Sequence, residues 1–111
     1  MATTALITYI DSNKEYKFCY VHSDGGSELQ KVLKDKYVNN DNNLDILFKN
    51  SHVTYITKDK IQKGKEDLKQ QTTKAKARII INSYDFVEYY YLIQDGKLHT
   101  FDNASEVISK L

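Results

Sequence analysis

The sequence predicts an α+β fold: a single, mostly antiparallel sheet covered on one face by two or three short helices. Three observations lead there. Runs rich in β-branched and aromatic residues, "ALITYI" and "EYKFCYVH" first among them, are separated by polar turn clusters. Other segments switch to apolar residues spaced three and four apart, the rhythm of an amphipathic helix. The resulting order is roughly β-β-α-α-(β)-loop-β-β-β-α without an internal repeat, which an antiparallel sheet under helices satisfies.

At 111 residues the chain is a single domain, 1–111, and its 41% hydrophobic and 28% charged residues are those of a soluble globular protein. No apolar run approaches the roughly 20 residues of a membrane span. "MATTALITYI" lacks a basic stretch ahead of its apolar residues, so it reads as a strand and not a signal peptide. The one cysteine, Cys19, excludes an internal disulfide and, between Phe18 and Tyr20, reads as a packed structural thiol.

The elements follow in order. The first two apolar runs flank Asp11, Ser12, Asn13 and Lys14, a hairpin loop by composition. After Gly25 and Gly26, Leu29, Val32, Leu33 and Tyr37 recur at helical spacing, with Ser27 and Gln30 placed as a capping box. "VNNDNN" is a turn, and Leu44, Leu47 and Phe48 define a short second helix with Asn43 as its N-cap, ending by about Asn50. "HVTYI" reads as a short strand.

From Thr57 to Lys76 apolar residues are too sparse for a core-facing stripe, and the expectation is a loop or a loosely attached helix, within a basic flexible insertion at about 57–78. "ARIIINS" and "FVEYYYLI" read as strands. Asp95-Gly96 then predicts a tight hairpin turn into "LHTF", because both positions tolerate positive φ. Asn103 with Glu106 starts a last helix whose Val107, Ile108 and Leu111 dock on the sheet.

The net charge of +1 conceals an uneven layout: residues 57–78 carry eight basic residues against three acids, while 79–111 carry two lysines against five acids. Such a basic stretch touches phosphate or an acidic partner, or is simply a solvated connector. Lys58, Lys60, Lys63 and Lys65 are the contact residues it offers.

The corner "HSDGG" is the other place with chemistry. His22 and Asp24, beside the exposed backbone of Gly25 and Gly26, can contact an anion or transfer a proton, or can only pin a turn. The spacing lacks the lysine and hydroxyl of a phosphate loop, and no G-x-S-x-G nucleophile motif is present. His22, His52 and His99 fall in three different elements, so no metal site and no cofactor is predicted. Of nine tyrosines, Tyr89 and Tyr91 face one side of a strand and Tyr90 the other, which makes Tyr90 a candidate for an exposed binding face as well as for cross-strand packing.

These residues resemble a family of small phage and prophage proteins whose signature reads H-W-D-G-Y-P, then G-x-x-L-x-x-x-Y, then G-D-I-S-x-L, and near the end E-Y-x-Y-x-x-x-x-G-x-W. His22, Asp24 and Gly25 match the opening. With one residue removed after Gly25, Leu29, Val32, Leu33 and Tyr37 fall on the family's helix, and Leu47 and "SHVTYI" follow its next segment. Glu88, Tyr89, Tyr90, Tyr91 and Gly96 fall on the terminal hairpin motif. Ser23 replaces the first tryptophan, Gly26-Ser27 the aromatic-proline step, and Leu98 or His99 the last tryptophan. The resemblance implies a small accessory protein made in the cytoplasm of a bacterial host, and implies no enzymatic activity.

The expectation is therefore a non-enzymatic protein that acts by binding, with a host or host-defence protein as target. Its contact residues are drawn from His22, Asp24, Gly25, Gly26, Tyr90, Lys58, Lys60, Lys63 and Lys65. Sequestration of a small anionic nucleotide is the first alternative and single-stranded nucleic-acid binding the second; the near-neutral net charge argues against the latter. Association into a homo-oligomer stays open.

Overall fold

The computed structural model describes residues 3–22, 26–56, 61–66 and 74–111. Six strands form one sheet: β1 (Ala5–Ile10), β2 (Tyr16–Val21), β3 (Asn50–Ile56), β4 (Ile61–Glu66), β5 (Tyr89–Gln94) and β6 (Lys97–Phe101), in the spatial order β4-β3-β2-β1-β5-β6. Four helices accompany them: α1 (Ser27–Lys36), α2 (Asp41–Leu47), α3 (Lys74–Ser83) and α4 (Ala104–Ser109). The fold is α+β with a mostly antiparallel sheet, as the sequence predicts. β1/β2, β3/β4 and β5/β6 pair antiparallel, and only β2/β3 and β1/β5 are parallel.

The helices do not all lie on one face. Strict alternation along β1, β2 and β5 sends Ala5, Ile7, Cys19, Val21, Tyr91 and Ile93 to one side, where Leu29 and Leu33 of α1 and Leu44 and Leu47 of α2 cover them. Leu6, Ile10, Phe18, Tyr20, Tyr90 and Leu92 point the other way, beneath Ala77 and Ile81 of α3 and Val107 of α4. The sheet is thus a filling between two helical layers. Its central strands alternate between two apolar faces, which in sequence gives near-continuous hydrophobic runs.

Two elements differ from the sequence reading, each for a physical reason. "ARIIINS" belongs to helix α3 and not to a strand: Ile81 is fully buried while Ile79 is 70% exposed, and residues two apart in a strand would share a face. Topology requires the same, because the chain must pass from β4 at one edge across β3, β2 and β1 to reach β5, and a covered crossover does so. Within the stretch expected to be a flexible insertion, Ile61–Glu66 is strand β4, held by its ladder to β3 with register shifts along it. Positions 57–60 and 67–73 lie outside the described residues.

The turns carry the predicted chemistry. Asp95 and Gly96 both adopt positive φ, 54° and 71°, as a two-residue hairpin with matching twist requires. A Cβ on Gly96 would also stand 2.9 Å from the Asn39 Oδ1 atom, so the turn sits closely against the α1–α2 connection. Asn103 caps α4, accepting from the Glu106 N–H at 3.0 Å and donating to its carboxylate at 2.7 Å. The α2 cap is Asn40 and not Asn43: Asn40 accepts from the Asn43 N–H at 3.0 Å, and Asn43 donates to the Lys36 carbonyl. Helix α1 begins at Ser27 as expected, yet its N-cap is Gly26, with no side-chain capping bond.

Candidate functional site

The sequence-predicted contact residues do not form one site. Asp24, Gly25, Lys58 and Lys60 lie outside the described residues. Lys63 and Lys65 fall on the edge strand β4, paired with Val53 and His52 of β3. Gly26 starts α1, and its carbonyl accepts the Tyr91 hydroxyl at 2.9 Å, which ties the helix start to the centre of the sheet. The backbone N–H of His22 donates to the Val53 carbonyl at 3.0 Å while its ring is exposed.

Tyr90 is not a surface residue. It is 2% exposed, its hydroxyl donates to the Tyr84 carbonyl at 2.7 Å, and burial raises its pKa, with Asp85 adding to the effect. The reason is the second helical layer: a sheet covered on one face would have left this ring in solvent, whereas α3 and α4 enclose it. Tyr91 is buried on the opposite face and its pKa is pushed up to about 12, first by burial and then by Tyr89.

An aromatic group gathers around the end of β2 and the turn after α3, and part of it reaches the surface. The Tyr20 ring stacks on Tyr84 at 5.5 Å, meets the edge of Phe86 at 5.7 Å and lies 6.3 Å from the His22 ring. Tyr84 and Phe86 are themselves 5.7 Å apart. The Tyr20 hydroxyl and the His22 Nδ1 atom are separated by 3.4 Å, a long contact. Phe86 is 61% exposed at the head of this group, and Ile79, on the outer side of α3, is exposed further still. Tyr20 is itself buried and Tyr84 half-buried, so Phe86 and His22 are the exposed members of the group.

Little in the sequence announces this surface. Phe86 reads as the first residue of a strand and Ile79 as the interior of another, so both look like core. The usable signal is the run of three isoleucines in "RIII": a helical stripe through Ala77, Ile81 and Tyr84 leaves Ile79 on the opposite side.

A second feature lies at the other end of the sheet. There the parallel strands β1 and β5 turn away in opposite directions, β1 toward β2 and β5 toward β6, and a crevice of about 160 Å³ opens between the two turns. Tyr9 and Ile93 line it, with Asp11, Asp41 and Asp95 at its rim. Asp11 is already engaged: its carboxylate accepts from the Asn13 and Glu15 N–H groups at 2.9 Å and pairs with Lys17 at 3.6 Å. Burial raises the Tyr9 pKa, followed by the charges of Asp41, Asp11 and Asp45.

Among the described residues no group of three or more histidine, cysteine or acidic side chains is placed to hold a metal ion. Cys19 is fully buried and burial pushes its thiol up to about 12, which removes it from nucleophilic chemistry near neutrality. No helix of the described residues is long and apolar enough to cross a membrane. No family model, no curated protein and no solved structure matches this chain.

Proposed function

We propose that the protein is a small phage-encoded accessory protein that acts by binding a host protein, with inhibition of a defence component as the consequence of binding. One observation carries the protein-binding part: Ile79 and Phe86, 70% and 61% exposed, stand close together in the chain on α3 and its following turn. Large apolar side chains left in water are what an interface buries, and aromatic residues are enriched at interface cores. His22, singled out by the sequence, lies beside Tyr20, whose ring also meets Phe86. The phage origin rests on the resemblance of the H-x-D-G and E-Y-x-Y segments alone.

The test is affinity capture from bacterial host lysate with the wild-type chain and with an Ile79→Ser, Phe86→Ser double variant. The expected result is a specific protein retained by the wild type and lost by the double variant, whose circular dichroism and melting stay unchanged. Undiminished capture by the folded double variant overturns the reading. A parallel arm with alanine at Lys58, Lys60, Lys63 and Lys65 measures the share of the basic stretch.

A second reading, capture of an anionic nucleotide, has one point in favour: the N-cap of α1, shortly after His22, is Gly26, which has no side chain to cap the first-turn N–H groups that an anion can use. Glu28 in that first turn works against it. Thermal melting against a nucleotide panel decides the matter, since tight binding to the native state raises Tm. A panel without any shift removes this alternative.

A further inference from the structure

The two edges of the sheet, β4 and β6, are finished differently. Along β4 the ladder to β3 shifts register between Asn50 and His52, between His52 and Val53 and between Val53 and Tyr55, and the strand carries Lys63 and Lys65. Irregular register and lysines are how an edge strand is kept from pairing further. β6 pairs with β5 in unbroken register, from Gln94 opposite Lys97 to Tyr90 opposite Phe101, and its one lysine stands at its start.

The two-residue turn fixes which backbone groups of β6 are in use. Gln94 and Lys97, which flank it, form a hydrogen-bonded pair, so Lys97, His99 and Phe101 turn their N–H and C=O groups toward β5. The N–H and C=O groups of Leu98 and Thr100 then point out of the sheet. Among the described residues no backbone hydrogen bond from another segment reaches either residue. Lys97, His99 and Thr100 are exposed along this edge.

We infer that β6 pairs antiparallel with β6 of a second copy of the chain, about a two-fold axis at His99. In that register Leu98 of each copy exchanges both backbone bonds with Thr100 of the other, and His99 lies opposite itself. Both sides of the strand match themselves. On the α3/α4 side the His99 and Phe101 rings stack at 6.4 Å, and the axis extends them into a ladder of rings with Lys97 opposite Phe101 of the second copy, a cation against an aromatic ring. On the α1/α2 side Leu98, packed against the core, meets Thr100. Lys97 does not face its own counterpart. An extended segment of another protein would satisfy the same backbone groups, but this strand supplies its own complement on both faces, and two-fold pairing is the commonest association of identical chains. The pairing involves neither Ile79 nor Phe86, so it stands or falls apart from the host-protein reading.

The test is sedimentation velocity of the full chain over a concentration series, with backbone amide exchange followed by NMR. The expected result is a concentration-dependent dimer in which the Leu98 and Thr100 amides are protected. Thr100→Pro removes an outward donor from each copy and leaves the β5 ladder whole, and it should weaken the dimer about tenfold. His99→Asp and His99→Lys each set like charges face to face across the axis and should each weaken it at least about tenfold, while an equimolar mixture of the two recovers a heterodimer. Circular dichroism checks that each variant is folded; if Thr100→Pro is not, the exposed position 99 decides alone. A wild-type chain that stays monomeric with freely exchanging Leu98 and Thr100 amides overturns the inference. So does a dimer indifferent to the charges at position 99, a mixture that does not recover, or a monomer whose Leu98 and Thr100 amides become protected only when another protein is added.

Discussion

The two helical layers over the sheet are written differently on their outer sides. Helix α1 exposes Glu28, Gln30, Lys31, Lys34, Asp35 and Lys36, a mixed-sign surface suited to water. Helix α3 exposes Lys76, Arg78, Ile79, Asn82 and Ser83, with charge of one sign and a bare isoleucine. Both layers bury their inner stripes equally well. The contrast therefore concerns the outside of the molecule, and it is the outer side of α3 that the proposed binding would use. Ile46 of α2 is the nearest counterpart on the α1 side, and at 46% it is markedly less exposed than Ile79.

The most severe challenge to this contrast is to empty each core in turn. Leu33→Ala under α1 and Ile81→Ala under α3 should each cost about 2–5 kcal/mol, since both side chains are fully buried. Urea unfolding followed by tyrosine fluorescence and by far-ultraviolet circular dichroism should give coincident transitions. Separate transitions would mean that the two layers are independent units and that α3 can be lost without the sheet.

Alkaline titration probes the core beneath α1 and α2. Tyr91 and Cys19 have folded-state pKa values pushed up to about 12, from 10.0 and 9.0. Because the folded state holds these protons more tightly than the unfolded state, their contribution is complete below the unfolded values and is lost as pH rises through 9 and 10 toward 12. Stability should decline across that window. Cys19→Ala should flatten its lower part, and an unchanged slope would contradict the burial of the thiol.

Smaller effects refine the picture. Gly96→Ala should destabilise by about 1–3 kcal/mol, because a side chain is strained at φ 71°; thermal melting of this variant tests the contact of the β5–β6 turn with the α1–α2 connection. Asn40→Ala and Asn103→Ala remove one cap from each layer, and each should cost about 1 kcal/mol. The smallest change is expected at the outer side of α3: Ile79→Ser should leave stability within about 0.5 kcal/mol. A loss comparable to Ile81→Ala would place that side chain in the core and remove the surface.

Most of the scaffold is legible in the sequence. The N-terminal hairpin, α1, α2, the Asp95-Gly96 turn and the capped α4 follow from alternation, helical spacing and turn chemistry, all of which are local. β4 is not legible because "IQKGKE" has little strand character of its own; an edge strand with lysines is defined by the neighbour it pairs with. α3 is hidden by three consecutive isoleucines, whose propensity favours a strand and whose periodicity cannot be read from so short a run. The exposed surface is less legible again. Whether Phe86 or Tyr90 faces water depends on the second helical layer, a nonlocal property, and that layer reverses the expectation for Tyr90.

The inaccessible sulfur at position 19 has a practical consequence. Since it is the chain's single cysteine and its thiolate is suppressed, a thiol introduced on the outer side of α3, for example by Ser83→Cys, would be the one group to react with a maleimide dye or photocrosslinker. A covalent test of the proposed binding at the outer side of α3 then needs no prior removal of native thiols.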